Sequence, residues 1–285
     1  MSDPLPNYNY RPKKRSKRIV GLIPAAGQAT RLAPLPFSKE LYPIGQMRIK
    51  GSDDLRPKPV CIFLLEKMRA AGARDVYIVL RKGKWDIPAY LGDGSSLDMN
   101  LAYLIMGLPF GVPYTLNQAY PFIQEAIVTF GFPDIIFQSA GAFSELLDKQ
   151  ETSQADIVLG LFPVDKPSKF HMVELSRDGR IHNIVLNPAA THLEYTWIIA
   201  VWTRTFTQFM HQYLTDIIGK ERKIEVAAGA SMKTELHLSE VLQHAIERKL
   251  KIESVIFSED SCLDIGTHDD LTKAVEEFPD IMAGK

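Results

Sequence analysis

The stretch Ile19-Val20-Gly21-Leu22-Ile23-Pro24, followed by Ala25-Ala26-Gly27-Gln28-Ala29-Thr30-Arg31-Leu32, decides the fold. Its first part is a continuous apolar run without alternation, the pattern of a short strand buried on both faces. Its second part is a turn of small residues. Downstream, Val60, Phe63, Leu64, Lys67, Met68 and Ala71 recur at helical spacing, with Lys67 the one polar interruption and Gly72 a natural stop. Asp75-Val76-Tyr77-Ile78-Val79-Leu80 then reads as a β-branched strand. Strand, loop, helix and strand in that order predict a parallel sheet with crossover helices.

The same reading extends along the chain. Strands are predicted at Tyr114–Leu116, Ile127–Phe130, Ile157–Pro163, Met172–Leu175, Ile181–Leu186, Tyr195–Trp202 and Ile252–Phe257. Helices are predicted at 139–151, 205–218, 237–249 and 268–277, with Ser139 and Ser239 as caps or first-turn residues. Asp178-Gly179 between two of the strands is a hairpin turn signal, so the sheet carries an antiparallel excursion. No internal repeat or linker divides the body, which predicts a single domain over residues 19–285.

Of the 285 residues, 46% are hydrophobic, enough for a sizeable core and against wholesale disorder. The formal net charge of −1 argues against a generally basic nucleic-acid binder. That charge is uneven. Residues 1–18 hold six Lys and Arg against Asp3, a net +5, and read as a basic flexible tail; the remainder carries −6. Cys61 and Cys262 are too few for a disulfide scaffold and sit in apolar surroundings, where a buried thiol is expected. No apolar run approaches the ~18 residues of a membrane span, and the N-terminus lacks a signal-peptide core. The expectation is a cytoplasmic protein with neither membrane nor nucleic acid as partner.

The turn after the first strand is where chemistry is expected. Small residues at 25, 26, 27 and 29 let backbone N–H groups approach a phosphate chain, and Arg31 could grip its oxygens bidentately. The glycine content alone is weak: there is no Walker A loop and no G-x-G-x-x-G, and a tight strand-to-helix turn would look the same. The longer pattern says more. Gly27-Gln28-Ala29-Thr30-Arg31-Leu32, then Pro34-Leu35, then Ser38-Lys39-Glu40-Leu41-Tyr42-Pro43-Ile44 resembles the signature of sugar-phosphate nucleotidylyltransferases, roughly L-A-A-G-x-G-T-R-L-x-P-L-T followed by P-K-x-L-x-P-I. Later pieces agree in order. Phe130-Gly131-Phe132-Pro133-Asp134-Ile135-Ile136-Phe137 resembles the family's G-D-N-I-F strand end, Pro167 to Glu174 its P-x-x-Y-G-V-V-E, and Leu263-Asp264-Ile265-Gly266-Thr267 its W-x-D-x-G-T.

The resemblance implies a three-layer, Rossmann-like nucleotide-diphospho-sugar transferase fold. It implies an enzyme that joins a nucleoside triphosphate and a phosphate acceptor, such as a sugar 1-phosphate, with Mg²⁺ as cofactor. By it, Arg31 and Lys39 are the catalytic cations, Ala25, Ala26, Gly27, Gln28, Ala29 and Thr30 hold the nucleotide, Gln118 (or Asn117) reads the base, and Asp134 and Asp264 hold the metal. Taken alone, each aspartate would be a loop or helix-cap residue and Lys39 a solvated loop lysine. Homo-oligomers are common in the family.

The acceptor half departs from the family. His171, Glu174 and Asn187 fall in the expected acceptor pocket, yet the family's E-K-P is here Leu186-Asn187-Pro188 and its glycine against the sugar ring is His171. Leu186 cannot accept a hydrogen bond and Asn187 carries no charge. His171 is a pocket-lining residue or a replacement phosphate ligand, and Lys169 and Arg204 are other candidates for a displaced cation. A non-catalytic nucleotide-binding regulatory subunit is the alternative these departures suggest. Trp85, Trp197 and Trp202 are expected in the core or a pocket wall.

Overall fold

The structure, a computed structural model, describes residues 17–48, 54–106, 110–228, 235–259 and 262–282. Most of the predicted tail, residues 1–16, lies outside the described residues. Arg18 does not: its guanidinium pairs with Asp75 at 2.8 Å and donates to Tyr77 Oη.

In chain order the elements are β1 (Ile19–Ala25), β2 (Pro43–Arg48), β3 (Leu55–Pro59), α1 (Val60–Ala70), β4 (Asp75–Arg81), α2 (Asp86–Leu91), β5 (Asn100–Met106), α3 (Val112–Asn117), α4 (Tyr120–Ile123), β6 (Ile127–Gly131) and β7 (Ile135–Phe137). There follow α5 (Ala142–Ser153), β8 (Ile157–Pro163), β9 (His171–Leu175), β10 (Ile181–Leu186), β11 (Tyr195–Trp202), α6 (Arg204–Ala228), α7 (Leu238–Glu247), β12 (Ile252–Ile256), β13 (Cys262–Asp264) and α8 (His268–Met282).

Nine strands form one sheet. β6, β1, β4 and β5 are parallel neighbours, with β1 between β6 and β4. β11 runs antiparallel to β6 and to β8, and β12 adds parallel to β8. The predicted excursion is the β9–β10 hairpin, turned at Gly179 with φ +78° and joined to β11 through Met172 and Thr196.

Strand alternation sends side chains into two helical layers. Val20 and Leu22 of β1 join the cluster holding Leu116, Phe206, Met210 and Val241 of α3, α6 and α7. Ile23 and Ala25 join the opposite cluster, with Leu64, Leu65 and Met68 of α1 and Phe143 and Leu146 of α5. A third, smaller cluster under β2, β7, β13 and α8 includes Phe63, Ile136, Leu263 and Ile265. Lys67, the polar interruption in α1, is buried with its ammonium 4.9 Å from the Phe137 ring centroid and donating to Gln138 O. The result is the predicted three-layer, Rossmann-like α/β fold. Among the described residues, no helix is long and apolar enough to cross a membrane.

Several expectations are corrected. Tyr114–Leu116 is the middle of α3, not a strand; Gly111 precedes that helix and Pro113 sits in its first turn, a start signal that outweighs the β propensity of three buried residues. α5 begins after Gly141 rather than at Ser139. α7 starts at Leu238, capped by His237 in a capping box with Glu240, while Ser239 lies buried in the first turn, one of the two places expected for it. Trp85 is exposed, because it precedes a short surface helix, and Cys262 is only half-buried. β5 and the β2–β3 hairpin were not predicted at all.

Candidate active site

β1 has a parallel partner on each side, so the chain crosses over in one direction to β4 and later returns to β6 on the other. The C-terminal end of β1 is therefore the point at which strand order reverses, where open α/β sheets bind ligands. The Ala25–Arg31 loop sits there. Ala25 and Ala26 are buried, while Gly27, Gln28, Thr30 and Arg31 are exposed and Ala29 half-buried. Ala29 holds φ +53° and accepts Leu32 N–H at 3.0 Å, so an alanine takes the left-handed turn where glycine would be easier. A Cβ added to Gly27 would meet nothing within 4 Å, so the loop is open on the side of its cavity.

Lys39 opens a single 3₁₀ turn over residues 39–41 and its ammonium donates to Asp134 Oδ2. Asp134 lies in the tight turn between β6 and β7. β7 pairs antiparallel with β13 in the register Ile135 to Asp264, and Ile265 N–H donates to Asp134 O at 3.1 Å. This small ladder brings together two aspartates 130 positions apart. Asp264 Oδ1 accepts Gly266 N–H at 2.7 Å. A Cβ on Gly266 would stand 2.8 Å from that oxygen and 3.1 Å from Arg31 Nη2, so the glycine makes room for the arginine beside Asp264.

The electrostatics follow the geometry. Burial, then the Asp134 charge, pushes the Asp264 carboxyl up to about 6, while Lys39, the Gly266 N–H and Arg31 oppose the rise. Burial works against the Lys39 charge, but Asp134, and more weakly Glu40 and Asp264, outweigh it and hold the ammonium pKa above its ordinary value. Glu40, which sequence reasoning passed over, forms a buried ion pair with Lys84 at 2.6 Å. Its second oxygen, Oε2, is buried without a hydrogen-bond partner among the described residues.

Of the cavities that touch the cluster, two have Asp134 in their walls. One of 150 Å³ touches Ala26, Gly27, Lys39, Gly111, Thr115 and Asp134. The other, of 260 Å³, touches Arg31, Asp134, Asp264, Lys169, His171 and Trp197. His171 Nδ1 lies 2.7 Å from Ser239 Oγ, which also accepts Trp197 Nε1–H at 2.9 Å, and the His237 ring stands edge-on at 5.0 Å. Burial, then His237, drives the His171 pKa down to about 4, so the imidazole is neutral at physiological pH.

Several of the expected residues do not line these two cavities, among them Ala25, Gln28, Ala29 and Thr30 of the loop. Gln118 turns its Nε2 back onto Tyr114 O, and Asn117 meets His211 instead. Glu174, three positions along β9 from His171, projects from the other face of the strand and lies near Asn183. Asn187, at φ +40°, sits past the end of β10. Of the other cations considered, Lys169 lines the larger cavity but is paired with Asp270 at 2.9 Å, and Arg204 pairs with Glu125 on the surface. Gly111, Thr115, His237 and Ser239 were missed. Thr115 lies in the segment misread as a strand, Gly111 stands three residues before it as the N-cap of α3, and the other two had no motif to mark them.

Among the described residues no group of three or more His, Cys, Asp or Glu is arranged to hold a metal. Two half-buried carboxylates, one with a raised pKa, are hard oxygen donors that fit a divalent cation completing its shell with water and phosphate.

Fold and site together define a nucleotide-handling α/β protein with a carboxylate and cation cluster at the strand-order reversal. The chain belongs to the nucleotidyl transferase family, whose sequence model matches residues 20–280. It is 26% identical over 259 residues to a glucose-1-phosphate thymidylyltransferase of Mycolicibacterium smegmatis, covering 89% of this chain and 80% of that one. It is 25% identical over 241 residues to the enzyme of that name from Streptomyces griseus, covering 83% of this chain but 60% of the relative's length. A Bacillus anthracis crystal structure described as a glucose-1-phosphate thymidylyltransferase superposes with a TM-score of 0.73 at 18% identity, over 90% of this chain and 94% of that one, a likeness of fold.

Proposed function

We propose that the chain transfers a nucleoside monophosphate from a nucleoside triphosphate to a sugar 1-phosphate or similar phosphate acceptor, releasing pyrophosphate. The observation that carries this reading is the convergence of Lys39, Asp134, Asp264 and Arg31 beside the open Ala25–Arg31 loop. An oxygen of the acceptor phosphate attacks the α-phosphorus; the bond from that phosphorus to the bridging oxygen breaks, and pyrophosphate departs with the electron pair. The nucleophile is already an anion, so no general base is required. The work left to the protein is positioning and offsetting charge. Lys39 and Arg31 supply fixed positive charge, and the loop backbone supplies N–H donors. Asp134 and Asp264 would hold Mg²⁺, which would supply Lewis-acid stabilisation of the negative charge on the phosphates.

The larger cavity is the place for the acceptor, with neutral His171, Trp197 and Ser239 as its walls. The test is a screen of nucleoside triphosphates against sugar 1-phosphates and other phosphate monoesters, read by product mass. A nucleoside diphosphate conjugate is expected from at least one pair. Absence of any conjugate across the panel would sink the proposal. Triphosphate binding without turnover is the second reading, favoured by Leu186 and Asn187 and by the direct Lys39 to Asp134 bond; the same screen, run beside a binding measurement, separates the two.

A further inference from the structure

A third cavity, of 470 Å³, opens on the other side of the loop, toward β4. Gln28, Ala29, Ser38 and Lys39 form one wall, and Arg81 and Lys84 the other. The two walls are tied together: Asp86 accepts Ser38 N–H at 2.6 Å and Ser38 Oγ–H at 2.8 Å, and Lys84 holds Glu40. The register between β1 and β4 pairs Ala25 with Leu80, so Arg81 stands level with Ala26, the next loop residue. Lys39 is committed to Asp134 and Lys84 to Glu40. Arg81 differs. Its Nε is buried with no hydrogen-bond partner, and no ion pair joins its guanidinium among the described residues. A buried N–H without an acceptor is rare in folded proteins and calls for an explanation.

We propose that Arg81 is a further binding residue for the terminal phosphates of the triphosphate, and hence for departing pyrophosphate. The inference rests on the nucleotidyl-transfer reading and adds to it a cation from the neighbouring strand. A guanidinium presents parallel N–H donors that match two phosphate oxygens, and a turn of the side chain toward a phosphate in the cavity would give the now inaccessible Nε–H its missing acceptor. The wall opposite carries the loop expected to hold the same phosphates. Because the monophosphate end of the nucleotide would lie with Lys39 and Asp134, the contribution of Arg81 should depend on the number of phosphates.

The test is calorimetric titration of the full chain and its Arg81→Met and Arg81→Lys variants with a nucleoside triphosphate, the matching monophosphate and inorganic pyrophosphate. Arg81→Met should weaken triphosphate and pyrophosphate about 10-fold or more and leave the monophosphate unchanged, with Arg81→Lys between. The ligand-free melting temperature of Arg81→Met should equal or exceed that of the parent, since an unpaired buried donor has been removed. Triphosphate affinity unchanged in Arg81→Met overturns the assignment while leaving the transfer reading intact. So does an equal loss for monophosphate and triphosphate with a lowered melting temperature, the mark of a packing role. A parent chain that binds neither triphosphate nor pyrophosphate overturns the transfer reading and this inference together.

Discussion

Glu40 and Lys84 bury opposite charges next to Lys39, and burial pushes the carboxyl up and the ammonium down while pairing opposes both. Removing one partner strands the other charge. Lys84→Met should therefore cost about 3–5 kcal/mol in urea unfolding, and replacing both residues by apolar ones should recover much of the loss. His171 is a second residue whose state the surroundings decide. Its folded pKa, about 4, lies below that of an exposed histidine. The unfolded chain thus binds the proton first, and this residue's contribution to stability is lost as pH falls from about 6.5 toward the folded value. Imidazole titration by NMR should show a His171 midpoint below pH 5; a midpoint above 6 would mean the imidazole is not desolvated as described. At this scale the sequence was informative where a motif carried the residue, as with Lys39 and Asp134. It was silent on Glu40, whose role depends on Lys84, 44 positions away.

The element that makes the site is the three-residue ladder between β7 and β13. Neither strand is long enough to stand out as a periodic segment, so no pattern of residues signals that these two ends meet; only the family motifs around Asp134 and Asp264 do. Gly266 follows β13 and is the contact point of the ladder with Arg31. Gly266→Ala should displace the Asp264 carboxylate or the guanidinium and lower turnover by about tenfold or more, with far-UV circular dichroism unchanged. Full activity in that variant would show that the Arg31 and Asp264 arrangement is not required. α3 was misread for a related reason: a buried run of three residues has no period, and the start signal lay in Gly111 and Pro113.

For the whole molecule, the apolar run of β1 and the helix and strand after it were enough to predict a parallel sheet. The order β6-β1-β4-β5 puts the loop at the reversal point without any appeal to motif. What stayed illegible is the acceptor side. Its walls come from β9, β11 and the start of α7, and His171, Trp197 and Ser239 meet only through tertiary packing. The opposite wall of the site, with Arg81 on β4, was hidden for the same reason, because strand adjacency and not sequence proximity sets Arg81 level with the loop.

The central claim is that Lys39 and the Asp134–Asp264 pair serve transfer at phosphorus rather than nucleotide binding alone. The most direct measurement is pyrophosphate release in a single turnover, with Mg²⁺, the triphosphate and the acceptor selected by product mass, in the parent chain and in Asp134→Asn and Lys39→Met. Triphosphate affinity is measured alongside. The account predicts release by the parent, a fall of about 10²-fold or more in each variant, and much smaller changes in affinity. Release that persists undiminished in both variants, or a parent that binds triphosphate and releases nothing with any acceptor, would contradict it.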